Sequence, residues 1–269
     1  VAGNSVCLIA VSEKSGIDSG GNAAAGAPPR RGPGAAAPEG GGGIENATFS
    51  ARLAQRIVHW LTAPTAAGRL YDIDTRLRPS GRSGLLVSSL AGFADYQRHH
   101  AWTWEHQALV RARVVAGPPS LTAQFAAIRA EVLGSPRAPE ALRAEIREMR
   151  VRMREALDKP APGCWDLKHS PGGITDIEFM VQYLVLRHAH DHPALLRWTD
   201  NIRLLETLGR LDLLATGTAT ILSDCYRRLR QRIHVLSLQQ TEAVVAETEL
   251  AAERAQVQAL WRQLLEEPV

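Results

Sequence analysis

The stretch LYDIDTRLRPSGRSG, Leu70 to Gly84, decides how the rest of the chain is read. From Tyr71 to Arg78 it alternates: Tyr71, Ile73, Thr75 and Leu77 fall on one side, and Asp72, Asp74, Arg76 and Arg78 on the other. A period of two predicts a strand over 71–78 with one face on a core. Same-face neighbours then lie roughly 7 Å apart. The polar face carries two carboxylates followed by two guanidiniums. Carboxylates hold a hard cation such as Mg²⁺, and Arg forks neutralise phosphate oxygens, so this face suits metal-assisted phosphoryl or nucleotidyl transfer. An edge strand whose polar face is only wet and self-paired fits the same pattern. Pro79, Gly81 and Gly84 follow as a turn-rich loop whose backbone amides can approach an anion.

Outward from this stretch the chain changes character in both directions. Residues 1–43 are dominated by Gly, Ala and Pro, as in GGNAAAGAPPRRGPGAAAPEGGGG, and with so little to bury they are expected to be disordered, with at most one short strand at VCLIAV. From Asn46 a helix is expected, with Phe49, Leu53, Ile57 and Trp60 at helical spacing and packed on the apolar face of the 71–78 strand. Ser88 or Ser89 caps a short helix through Phe93 and Tyr96. In AWTWEHQALVRARVVAG, residues 101–117, Trp102 and Trp104 are expected to serve packing. Arg111 and Arg113 alternate with apolar neighbours, as on a second strand or a helix end lining the same cleft; a solvated pair on an exposed face is the simpler account.

Beyond Gly117 the pattern is helical to the end, with stripes such as Leu142, Ile146, Met149, Met153 and Leu157, and later Leu222, Cys225, Leu229, Ile233 and Leu236. One segment, SPGGITDIEFMVQYLVLRHAH over 170–190, is apolar nearly all round, as a central bundle helix is. Its start, Pro171, Gly172 and Gly173, is expected to leave free backbone N–H groups at a positive helix end. Asp176 and Glu178 interrupt it. A carboxylate on a buried helix needs either a partner or a chemical role. The two acids therefore mark a candidate second site, or they pair with bundle arginines such as Arg203 or Arg227.

Composition limits the alternatives. The chain has 269 residues, enough for one large or two modest domains. Its 31 Lys and Arg are interleaved with 28 acids, so no basic stripe of the nucleic-acid-binding kind is present. Three separated cysteines, Cys7, Cys164 and Cys225, form neither a zinc pattern nor a disulfide framework. His99, His100, His188, His190 and His192 lack companions at ligand spacing and read as surface or capping residues. No apolar run has the length of a membrane span, and a cytoplasmic protein is expected.

YDIDTRLRPSG, then AWTWEHQALVRARVVAG, then GGITDIEFMVQYLVLRHAH, in that order, resemble glutamine synthetase adenylyltransferase over about residues 44–269. The wording of RLRPSG and WTWEHQALVRARVV is similar to the C-terminal, adenylylating half. The resemblance implies an α+β, mostly α chain: a partial polymerase β-like nucleotidyltransferase palm over 44–117 and an α-helical bundle over 118–269. It implies ATP and Mg²⁺, glutamine synthetase and a PII-type signalling protein as partners, and neither nucleic acid nor membrane. Asp74 falls on the family's third metal carboxylate, with Asp72 the weaker candidate. Arg76 and Arg78 would face the phosphates or buttress the metal acids, and Arg111 and Arg113 would face phosphates.

This chain departs from the family in one place. Relatives carry a Gly-Ser turn and a D-x-D pair before the segment matching IENATF. Residues 1–43 contain neither, and the only aspartate before Asp72 is Asp18. The expectation is a truncated adenylyltransferase that is inactive by itself. A non-catalytic helical module that docks glutamine synthetase or a regulator, and the phosphorolytic, AMP-removing activity, are the alternatives.

Overall fold

The computed structural model describes residues 6–7, 10–12, 46–66, 68–69, 73–158 and 160–267. The disorder expected for 1–43 therefore lies mostly outside the described residues. Within that stretch, however, two short strands are present rather than at most one. β1 (Val6–Cys7) pairs in parallel with β5 (Ile73–Asp74), and β2 (Ala10–Ser12) pairs in parallel with β6 (Val87–Ser89). Between these pairs lie α1 (Asn46–Thr62) and a small antiparallel ribbon, β3 (Pro64–Thr65) with β4 (Gly68–Arg69).

The decisive stretch is strand for only two of its described residues. After Asp74 the chain turns: Arg78 N–H donates to the Arg76 carbonyl at 3.0 Å and Gly81 N–H to that of Arg78 at 2.8 Å. Two local causes end the strand. The Asp74 carboxylate accepts the Arg76 backbone N–H at 2.9 Å, which takes that donor out of any ladder. Ser80 and Gly81 then adopt left-handed φ values of 61° and 54°. So Arg76 and Arg78 do not share a strand face with Asp74. The expected packing of α1 is also corrected. Phe49, Leu53 and Trp60 are 57%, 45% and 67% exposed, and it is Ala54 that is buried. The strands under α1 are two or three residues long and cannot cover a helix of 17.

The mostly helical remainder is α2 (Leu90–His99), α3 (Thr103–Val110), α4 (Pro119–Leu133), α5 (Pro139–Leu157), α6 (Ile174–His188), α7 (Asn201–Arg210), α8 (Thr216–Leu238) and α9 (Ala251–Trp261). The Ser89 hydroxyl caps α2 by accepting from Gly92 N–H. α6 is central: Ile177, Met180, Val181, Tyr183, Leu184 and Val185 are all buried, against α3, α5, α7, α8 and α9. One apolar cluster joins Leu90, Phe93, Leu109 and Val110 to Phe125 and the later helices, so buried side chains run continuously across the boundary at Gly117. Trp102 does not pack inside; it is 71% exposed at the start of α3, and Trp104 is half-buried.

A ribbon interrupts the expected all-helical run. β7 (Cys164–Asp166) pairs antiparallel with β8 (Val244–Ala246), Trp165 opposite Val245. Trp165 is fully buried, and its indole N–H donates to the Glu249 carbonyl at 3.1 Å. The ribbon also fixes the start of α6, because Leu167 N–H donates to the Ala243 carbonyl while its own carbonyl accepts Ile174 N–H, both at 2.8 Å. Gly172 makes that corner possible. Its φ is +86°, and a Cβ there would lie 2.6 Å from the Arg254 carbonyl oxygen. Gly172→Ala is therefore expected to cost about 2 kcal/mol or more, from left-handed strain plus backbone collision, read as a lowered denaturant midpoint with unchanged slope.

Candidate functional site

The residues expected to bind nucleotide fall into two groups. In the first, Asp74 ends β5 and Arg76 folds back on it. Arg76 Nε lies 2.9 Å from both Asp74 oxygens, and Nη2 closes the fork on Oδ2. Hydrogen bonding to Asp74 and then its charge raise the Arg76 pKa above its ordinary value. Arg78 points elsewhere and donates through Nη1 to the Thr75 carbonyl at 2.8 Å. The loop beyond is tight, since a Cβ on Gly84 would stand 1.9 Å from the Pro79 carbonyl oxygen. Asp72 lies outside the described residues.

This geometry bears on the expected cation. Mg²⁺ demands several oxygens in near-octahedral arrangement. Here both oxygens of Asp74 accept from Arg76. Among the described residues no group of three or more His, Cys, Asp or Glu side chains could hold a metal ion. The described side chains therefore do not fit Mg²⁺, and no chemical step is routed through it.

In the second group, Arg111 follows the end of α3 and is bound to α6. Its Nη1 lies 2.6 Å from Glu178 Oε1, which also receives longer contacts of 3.4 Å from Asn201 Nδ2 and the Tyr226 hydroxyl. Four residues further along α6, Gln182 accepts from Gln107 Nε2 at 3.0 Å in a buried bond. Gln107 on α3 and Arg111 at its C-cap are i,i+4, as are Glu178 and Gln182 on α6. The two helices thus meet through two matched polar rungs. Arg113 is exposed beyond the helix end.

Asp176 is 1% exposed and fully engaged. Arg150 Nε donates to it at 2.7 Å, Arg154 Nη2 to its two oxygens at 2.9 and 2.8 Å, and Gly172 N–H at 2.8 Å. The expected partners Arg203 and Arg227 instead pair weakly with Asp200 and with Asp224. The N–H groups expected to be free are also used internally: Gly173 donates to the Ser170 carbonyl and Thr175 to that of Lys168. Burial lowers the Arg150 pKa, with Asp176 opposing that shift.

Asp176 and Glu178 are thus tied to structural partners, and sequence reading missed Arg150, Arg154, Gln107, Asn201 and Tyr226. A signal existed for the first two. Residues 143, 150 and 154 repeat at seven and four, the spacing of the α5 core stripe. Cys225 is no nucleophile, since burial pushes its thiol up to about 11. His99, His100 and His190 are exposed, the first against Asp95 and the last against the Gly134 carbonyl. Asp176→Asn is expected to cost about 3–5 kcal/mol, because it strands the fully buried Arg150 guanidinium and the half-buried one of Arg154, whereas Asp74→Asn on the exposed loop is expected to cost less than about 1 kcal/mol; parallel thermal and denaturant melts check both.

Residues 33–128 match the family model described as glutamate-ammonia ligase adenylyltransferase, and residues 140–263 match one described as GlnD PII-uridylyltransferase. The chain is 56% identical over 224 residues to the bifunctional glutamine synthetase adenylyltransferase/adenylyl-removing enzyme of Thioalkalivibrio sulfidiphilus, an alignment covering 83% of this chain and 23% of that protein. It is 50% identical over 238 residues to the enzyme of the same name from Pseudomonas aeruginosa, covering 84% of this chain and 24% of the relative. The chain therefore spans about a quarter of the length of these curated relatives. With half or more of the residues identical across four-fifths of its length, this chain belongs to the glutamate-ammonia ligase adenylyltransferase family.

Proposed function

We propose that this chain carries the C-terminal, adenylylating part of an enzyme that transfers AMP from ATP to a tyrosine of glutamine synthetase in the cytoplasm. The tyrosine oxygen bonds to the α-phosphorus, the bond to the bridging oxygen breaks, pyrophosphate leaves, and the phenolic proton passes to a base. The observation that carries the reading is the identity of 50–56% with the two bifunctional enzymes. Such catalysis is mainly positional and electrostatic. In this reading Asp74 supplies one carboxylate to the nucleotide site. Arg76, bonded to Asp74 in the structure, turns to the phosphates in this reading, and Arg111 and Arg113 also face phosphates.

This polypeptide is proposed not to complete the reaction alone, because its first 43 residues contain no Gly-Ser turn followed by a D-x-D pair. A second reading has a specific observation behind it. Residues 140–263 match the PII-uridylyltransferase model, and the acids of α6 are bound to their own arginines. The bundle then acts as a docking module for a PII-type signalling protein or for glutamine synthetase. The relatives' names also include adenylyl removal, which would appear as phosphate-dependent release of ADP from adenylylated glutamine synthetase.

Labelled ATP, Mg²⁺ and glutamine synthetase are incubated with this chain, and in parallel with a full-length relative. No transfer by the chain is expected, whereas the relative's rate should drop about 100-fold or more when Asn replaces the residue matching Asp74. Transfer by the chain alone overturns the first statement, and an undiminished rate in the substituted relative overturns the role of Asp74.

A further inference from the structure

Residues 193–198 form a short 3₁₀ segment, Pro193–Arg197, that ends at Trp198 and faces α7. Between them is a cleft of about 670 Å³ whose lining includes Arg197, Trp198, Arg203, Glu206, Thr207 and Arg210. None of these residues takes part in the Asp74 loop or in the α3–α6 rungs. The volume falls in the range of small-molecule sites, roughly 300–1,000 Å³.

The charge is concentrated and weakly compensated. Three guanidiniums face one carboxylate, Glu206. Among the described residues neither Arg197 nor Arg210 has a carboxylate within 4.0 Å, and Arg203 has only Asp200, at 3.8 Å. Two other exposed arginines are ion-paired: Arg98 sits 2.7 Å from Glu131, and Arg227 3.0 Å from Asp224. The Arg197 and Arg203 guanidiniums lie 4.8 and 4.2 Å from the centre of the Trp198 ring. Stacking uses the flat face of a guanidinium and leaves its N–H edge free to fork onto an anion.

The walls are also held in place. Leu195 is fully buried, and the Leu196 carbonyl accepts Arg129 Nη1 at 2.7 Å, which anchors the 3₁₀ segment to α4. The buried Thr207 hydroxyl donates to the Arg203 carbonyl at 2.7 Å and accepts from Arg210 Nη2 at 3.1 Å. Side chains ordered before the ligand arrives lose less entropy on binding.

We propose that this cleft binds a small phosphate-bearing anion, with Arg197, Arg203 and Arg210 on the phosphate oxygens. Three separate forks exceed what one carboxylate can accept, whereas a di- or triphosphate offers enough oxygens for all of them. The proposal is independent of the nucleotidyl-transfer reading, because it involves neither Asp74 nor Mg²⁺.

The test is calorimetric titration of the full chain with inorganic tripolyphosphate, without divalent cation, and then with ATP. One-to-one binding is expected, weakened at least 10-fold by combined Arg197→Gln and Arg210→Gln. Arg152→Gln, which removes an exposed arginine on α5 paired with Glu148, should leave it unchanged. Both cleft arginines are exposed, and circular dichroism confirms that the double variant folds. Equal affinity for the two probes assigns the phosphate chain alone, and tighter ATP adds a contact to the nucleoside. Absence of binding by the native chain overturns the proposal, as does an equal loss in Arg152→Gln, which would mean diffuse charge.

Discussion

A carboxylate with no access to water holds the helical half together. Asp176 sits near the start of the most buried helix, and its oxygens accept from two guanidiniums of α5 and one backbone amide of the 171–173 corner. A charge in such surroundings is tolerated only when paired and hydrogen-bonded. Arg150 is buried just as deeply, and it donates onward to the His169 carbonyl. Three pieces of chain are therefore locked in one relative position: α5, α6 and the loop that enters α6. Arg154 extends the lock to the last helix by lying 5.1 Å from the centre of the Trp261 ring. A hydrophobic cluster alone tolerates rotation and sliding of helices, whereas directed ion pairs admit one register.

From that fixed helix the order passes to the smaller, mixed part of the molecule. Glu178 and Gln182 take hold of Arg111 and Gln107, so the end of α3 is placed by α6. Arg129, buried in α4, adds three bonds at the same end, donating to the carbonyls of Leu109 and Val110 and to that of Leu196. Such a guanidinium satisfies the carbonyls that a helix terminus leaves without partners. Arg111 is thus presented at a set height along the bundle. The Asp74 loop has no comparable scaffold, since its strands are two or three residues long and its ion pair is exposed.

The polar groups of α6 show how a functional pattern and a structural one converge. Buried acids perturb their surroundings whether they act on substrate or hold a fold. Here both acids are engaged by side chains of this chain. Asp176 is saturated by donors from its own chain, and Glu178 is shared among three neighbouring elements. A cluster of weakly compensated charge lies elsewhere, around Trp198, where Arg197 and Arg203 stack on the indole ring.

Much of this was legible in residue order. Period-3.6 stripes located the helices, Ser89 announced the start of α2, and the apolar circumference of 174–188 marked α6 as central, because burial on all sides leaves no polar face to specify. The motif wording around Asp74, Arg111 and Asp176 pointed to the family. Residue order could not say which cation meets which anion. Arg150 reads as one more charge on an amphipathic helix until α5 is laid against α6. Residues 71–78 read as eight alternating positions until the Asp74 side chain captures the Arg76 amide and the chain turns. β7 and β8 are three residues each and some eighty positions apart, so their pairing exists only once the bundle brings them together. Periodicity is a local property and survives in the sequence; partnership depends on which surfaces fold onto one another, and the tertiary structure decided it.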